Sequence, residues 1–286
     1  MSSEWSYGQT GEWPDTCYTN GQTPINIDTS IIKKCSGLCK LKMIYKPSKC
    51  TIEFKKHQNL TITDYDSGSG VIFNNIYYKL KDITIHTPSL HKIDGESCDM
   101  EICLQHNLMD DVSESKGIII SVLLNVGHSY GNEEIFFNQF INDISENKKN
   151  IIDVSSTWNI NMIIPNHKSF YVYEGSLYYP GCNNNTIIVM DSIGNIGHSN
   201  LQFLKTILGN NIREIQQLGN RDIFYNSGKN LTLKREEFLT DNKYLRCLKK
   251  KETFKTHPQQ PVVDSNKSID NSTKKTIKSI FLILNL

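Results

Sequence analysis

The chain has 286 residues, 38% of them hydrophobic, enough to bury a sizeable core in one large domain with a tail. Its net charge of +1 conceals a split. Residues 1–221 carry 16 Lys, 2 Arg and 23 acidic groups, which gives −5; residues 222–286 carry 11 Lys, 2 Arg and 7 acidic groups, which gives +6. A basic tail suits peripheral contact with an anionic surface; a membrane is the expected surface, and no nucleic-acid partner is expected. The first ten residues have neither the basic nor the apolar region of a secretory signal. The apolar stub Ile280–Leu286 is shorter than the roughly 20 residues of a membrane span.

Short β-branched and aromatic runs bounded by Gly, Asn, Asp or Pro predict strands at 50–54, 59–63, 70–80, 82–87, 101–106 and 117–126. In the run DITIHT, Ile83 and Ile85 face one way and Thr84 and His86 the other; in EICLQH, Glu101, Cys103 and Gln105 share a face. A helix is expected over 133–144, with Ile135, Phe136, Phe140, Ile141 and Ile144 on one stripe. Two further strands are expected within 169–179 and 185–191. A second helix is expected at 198–208, capped by Ser199 or Asn200. From about residue 235 the composition turns polar, so the division expected is a folded domain over 1–235 and a flexible basic tail over 236–286.

Several segments, in order, carry a family resemblance. W-S-Y-G with Trp5 and Tyr7, then Trp13-Pro14, QTPINI (22–27), YEGSLYYPGC (173–182) and NIREIQQLGNR (211–221) together resemble the α-class carbonic anhydrases across roughly residues 4–235. The resemblance implies a β-dominated α+β domain built on a central, mostly antiparallel ten-stranded twisted sheet, with a few surface helices. It also implies a metal site on residues 76–106. The family's chemistry uses three imidazoles to hold Zn²⁺ with one position open, so that bound water ionises near neutral pH. Those three positions hold Thr84, His86 and Cys103 here.

Other roles implied by the resemblance have changed too. The threonines that orient the metal-bound hydroxide and line the site correspond to Tyr178 and Tyr179, two rings expected to fill the cleft. The glutamate that anchors the first threonine corresponds to Leu90. The proton-shuttle position falls near Gln58, with His57 one residue away. Glu101 corresponds to the carboxylate that orients the third ligand, and His91 and His106 to buried histidines that brace the sheet. No cofactor is expected. Zinc would need a rearranged site in which His86 and Cys103 recruit a neighbour such as Cys98 or His91.

Of the eight cysteines, Cys17 and Cys182 stand where extracellular members of the family form a disulfide, so that bond is expected from the resemblance. Cys35, Cys39 and Cys50 cluster, and a further bridge among them or a metal site is compatible with their spacing. Disulfides point to an oxidising compartment. With no signal sequence and a degraded site, the outline is similar to the carbonic anhydrase-like envelope proteins of poxviruses. That likeness implies a non-catalytic surface protein on a virion, adhering to a cell-surface glycosaminoglycan or host protein. Lys33, Lys34, Lys40, Lys42, Lys46, Lys49, Lys55 and Lys56 form the expected basic ligand face. The alternatives are a zinc enzyme with a rebuilt site, for hydration or ester hydrolysis, and a structural virion component. Sequons at Asn59, Asn184, Asn230, Asn266 and Asn271 are frequent in so Asn-rich a chain and by themselves say little about secretion.

Overall fold

The computed structural model describes residues 5–228, except 37–38, 56–57, 64–67, 109–115, 129–130, 143 and 145–150, with backbone alone at 155–157. The expected basic tail over 236–286, its apolar stub, Lys56 and His57 lie outside the described residues. The strands are β1 (Asn26–Ile27), β2 (Lys33–Lys34), β3 (Leu41–Ile44), β4 (Ser48–Phe54), β5 (Leu60–Thr63), β6 (Gly70–Phe73), β7 (Ile76–His86) and β8 (Lys92–Ile93). They continue with β9 (Glu96–Ser97), β10 (Met100–Leu108), β11 (Gly117–Val126), β12 (Ile151–Trp158), β13 (Phe170–Ser176), β14 (Asn184–Met190), β15 (Gly194–Ile196) and β16 (Phe224–Asn226). Two α-helices with bounds among the described residues are α1 (Asn132–Asn138) and α2 (His198–Leu208), beside three short 3-10 turns.

Ten strands make one continuous path in the order β12-β4-β5-β7-β10-β11-β14-β13-β16-β2, with β3, β6 and β15 attached beside it. Along that path only β11–β14 and β16–β2 are parallel, so the expected mostly antiparallel sheet is present. β7 is long enough to serve two neighbours. Its first half pairs with β6 across a turn at Asn74 and Asn75, both at positive φ, and its second half pairs with β5.

The centre of the sheet is apolar on both sides, which is why GIIISVLLNV reads as an unbroken run and not as an alternation. On one face Ile83, Ile85, Ile102, Leu104, Ile118, Ile120 and Val122 pack with Phe136, Phe137, Phe140, Leu201, Leu204 and Leu208 from the helical segments. On the other, Cys103, Ile119, Leu123, Tyr173 and Tyr178 pack with Tyr7, Trp13, Cys17, Ile25 and Ile27 from the N-terminal segment. Each fully buried aliphatic or aromatic side chain contributes about 1.5–3 kcal/mol by leaving water.

Two local expectations need correction. α1 ends at Asn138, with helix again at 141–142 and 144; Phe136, Phe140, Ile141 and Ile144 of the expected stripe are buried, as is Phe137, but Ile135 is 51% exposed. Phe137 takes the inward place that the pattern gives to Ile135. α2 has the expected bounds, but its N-cap is Gly197. Asn200 is instead drawn sideways, its amide donating to Glu134 Oε1 at 3.0 Å and Asn138 Oδ1 at 3.2 Å, which ties α2 to α1.

Candidate functional site

β7 and β10 lie side by side in antiparallel register, with Thr84 opposite Cys103 and His86 opposite Glu101. The strand alternation therefore brings Thr84, His86, Glu101, Cys103 and Gln105 to one face, as the pattern predicts. All five are buried.

A directed hydrogen-bond chain occupies this face. His86 Nδ1 donates to the backbone carbonyl of Asn211 at 2.8 Å, so the neutral ring has its acceptor at Nε2. Nε2 lies 3.0 Å from Thr84 Oγ1, which must donate to it. Thr84 Oγ1 in turn lies 2.5 Å from the Tyr178 hydroxyl, which is then the donor. Burial pushes the His86 imidazole down to about 4, and the Asn211 carbonyl offsets this only in part, so the ring is neutral at pH 7. Asn211 is itself fixed: its Oδ1 accepts from the Thr87 N–H at 2.9 Å and its Nδ2 donates to the Ile85 carbonyl at 2.8 Å. The Tyr7 ring meets His86 edge-on, centroids 5.9 Å apart, and its buried hydroxyl has no hydrogen-bond partner among the described residues.

Cys103 donates from Sγ to Glu101 Oε1 at 3.4 Å. Burial pushes its thiol well up, and the neighbouring Glu101 carboxylate adds to the effect. Glu101 accepts from the His91 N–H at 2.8 Å and from His91 Nδ1 at 2.7 Å. Burial alone would raise the Glu101 carboxyl, but His91 outweighs it and holds Glu101 down to about 2. His91 Nε2 then reaches the Tyr173 hydroxyl at 2.7 Å. His106 stands apart, with Nδ1 on the Ile118 carbonyl at 3.3 Å and Nε2 accepting from Tyr45 at 3.0 Å.

Aromatic side chains crowd the outer side of this face. Tyr178 is fully buried, and Tyr179 donates to Gln105 Oε1 at 2.6 Å while stacking on Trp5 with centroids 6.1 Å apart. Gln58 Nε2 donates to the Trp5 carbonyl, so the residue at the shuttle position holds the N-terminal segment. Leu90 is packed among apolar neighbours.

These residues do not fit a zinc ion. The His86 lone pair that would face a metal is taken by Thr84, Thr is a poor ligand, and Cys103 is a neutral thiol. Of the neighbours that a rearranged site would recruit, Cys98 is disulfide-bonded and His91 is committed to Glu101 and Tyr173. Among the described residues, no group of three or more His, Cys, Asp or Glu is arranged to hold a metal.

The Cys17–Cys182 disulfide is present, as is one between Cys35 and Cys39, while Cys50 and Cys103 are buried thiols. Disulfides suggest an oxidising, extracellular compartment. Among the described residues no helix is long and apolar enough to cross a membrane. The lysines of the expected ligand face are spread over β2, β3, β4 and their connections. Lys34, Lys40, Lys42, Lys46 and Lys49 are exposed, whereas Lys33 pairs with Asp222 at 2.7 Å and Lys55 with Glu53 at 3.4 Å.

Sequence reasoning did not single out Asn211, although it lies in the quoted NIREIQQLGNR segment. Nor did it anticipate the network that binds the other motifs. Thr23 N–H donates to Ser176 Oγ at 3.1 Å, Ser176 N–H returns a bond to Thr23 Oγ1 at 2.9 Å, and Arg213 donates to Gln22 Oε1 and the Thr23 carbonyl, each at 3.0 Å. Thus QTPINI, YEGSLYYPGC and NIREIQQLGNR meet at one place.

The family model for eukaryotic-type carbonic anhydrase matches residues 2–227. Dioscorin DB3L of Dioscorea polystachya is 29% identical over 224 residues, covering 75% of this chain and 78% of the relative. A crystal structure of dioscorin complexed with ascorbate superposes with a TM-score of 0.68 at 24% identity, covering 79% of this chain and 93% of the other. A hyperthermostable carbonic anhydrase identified from an active hydrothermal vent chimney superposes with a TM-score of 0.67 at 24% identity, covering 78% and 99%. These relatives are plant and hydrothermal-vent proteins, and they lend no support to the expected poxvirus likeness. With the model spanning most of its length and the sheet arranged accordingly, the chain belongs to the eukaryotic-type carbonic anhydrase family.

Proposed function

We propose that this protein is a non-catalytic member of its family that acts through its surface, as a binding module for a glycan or a protein in an oxidising, outward-facing setting such as an extracellular space or a virion surface. The observation that carries the reading is the chain Tyr178–Thr84–His86–Asn211. It consumes the one remaining imidazole of the metal site and leaves the water-orienting positions to two tyrosines. The surface offers the exposed Lys34, Lys40, Lys42, Lys46 and Lys49 for an anionic ligand.

The test is retention of the full chain on a heparin column and on a glycan array, beside a variant with those five lysines changed to glutamate. Salt-sensitive retention lost in the variant supports the reading. Equal behaviour of both proteins rejects the lysine face, and absence of any surface ligand leaves the structural-component reading in its place.

A further inference from the structure

We propose that Asn184 is an N-glycan acceptor and that Asn59, the other sequon within the described residues, is not. Both fit N-x-S/T, as Asn184-Asn185-Thr186 and Asn59-Leu60-Thr61. Sequence cannot separate them; the fold does.

Asn184 opens β14 opposite Ser176 and is exposed, at the end of the turn that carries Cys182. The next residue takes the inward part: Asn185 Oδ1 accepts from the Gly117 N–H at 3.0 Å, and its Nδ2 donates to the Asn183 carbonyl at 2.9 Å. By strand alternation Asn184 leaves the sheet on the opposite side from Asn185, at a position where solvent already reaches it. A glycan there displaces no packed group. Asn183 and Gly181 beside it are exposed as well, so the rim of the turn is open.

Asn59 is the contrary case. It precedes β5 beside Leu60, which has no exposed surface, and its Oδ1 is buried without a partner among the described residues. Its side chain is half-buried, and its backbone carbonyl is held by the Lys55 N–H at 2.9 Å. A sugar on Nδ2 has less room here than at Asn184, because the same amide group sits with its oxygen buried at the start of the strand. The remaining sequons lie outside the described residues.

The reaction requires a lipid-linked oligosaccharide pyrophosphate as donor. The Asn184 Nδ2–C1 bond forms, the C1–O bond to pyrophosphate breaks, the lipid pyrophosphate leaves, and the amide gives up one proton. This inference rests on the outward-facing setting proposed above, since the donor and the Cys17–Cys182 disulfide belong to the same compartment.

The experiment takes the full chain from cells that make it with its disulfides, digests it with peptide-N-glycanase in heavy-oxygen water, and maps the labelled aspartates by mass spectrometry. Label at Asn184, none at Asn59, and a gel shift lost in Asn184→Gln but kept in Asn59→Gln are expected. An unlabelled Asn184, or a labelled Asn59, overturns the proposal. With Asn184 unlabelled, an intact Cys17–Cys182 bond would leave the compartment standing and reject the site alone; a reduced bond would reject both.

Discussion

Thr84 Oγ1 lies 3.0 Å from His86 Nε2 on the same face of β7, so a hydroxyl occupies the lone pair through which this imidazole would otherwise bind a metal. The substitution of a ligand position has thereby become a structural contact. Through Asn211, the chain also ties the segment after α2 to the central strands.

Thr84→Val keeps the shape of the side chain and removes the hydroxyl. His86 Nε2 is then buried without its donor, at about 1–3 kcal/mol for the orphaned group. Thr84→Ser retains the bonds and is expected to cost less. Urea unfolding of the two variants reads the difference; a Thr84→Val protein as stable as the parent would show that the chain contributes nothing.

Acid should destabilise the protein in two stages. His86 and His106 are each held down to about 4 by burial, from 6.5 for the free side chain. The unfolded chain therefore takes up these protons first. Stability is complete above about pH 6.5 and falls as the pH drops toward about 4, by on the order of 3 kcal/mol per histidine. Glu101, held down to about 2 from 4.5, contributes stability above pH 4.5 that is lost as the pH falls toward about 2. Denaturant titrations across this range should show the first loss beginning near pH 6.5, and a flat profile down to about pH 4 would contradict the neutral, buried histidines.

The Cys17–Cys182 and Cys35–Cys39 disulfides should differ in weight. Cys17 and Cys182 are separated by 165 residues, and Cys35 and Cys39 by 4. Loop entropy assigns the first about 5 kcal/mol and the second about 2 kcal/mol. Thermal unfolding of the Cys17→Ser/Cys182→Ser and Cys35→Ser/Cys39→Ser proteins compares them, and a larger loss from the second pair would show that native contacts and not chain closure decide.

Gly175 marks a close approach and not a turn. A Cβ there would collide with Thr23 Oγ1 and stand 2.7 Å from Ile187 Cγ1 and 2.9 Å from the Tyr173 ring. Gly175→Ala should cost about 1–3 kcal/mol through overpacking. Unchanged stability in a thermal melt would mean that Thr23 and β13 separate freely.

The limits of sequence reading follow from range. Alternation is local, so the shared face of Thr84 and His86, the run of β11 and the bounds of α2 were legible. So was the Cys17–Cys182 pair, through the family resemblance. β12 was not anticipated: among the described residues it is an edge strand paired with β4, and its first residue, Ile151, is 58% exposed. The cap of α2 was misplaced because Asn200 bonds to α1, a partner more than 60 residues away in the chain. Likewise His86 finds its acceptor 125 residues away at Asn211, and no periodicity encodes such a pairing. The filling of the cleft by Tyr178 could be expected from ring size; the direction of its hydrogen bond required the fold.

The most direct test is metal content per chain after incubation of the full-length protein with zinc and exhaustive dialysis, with CO₂ hydration assayed on the same sample. A closed site predicts no stoichiometric zinc and no hydration above the protein-free rate. One zinc per chain, lost in Cys103→Ser, would mean that Thr84 yields His86 to a metal, and would contradict the closed site.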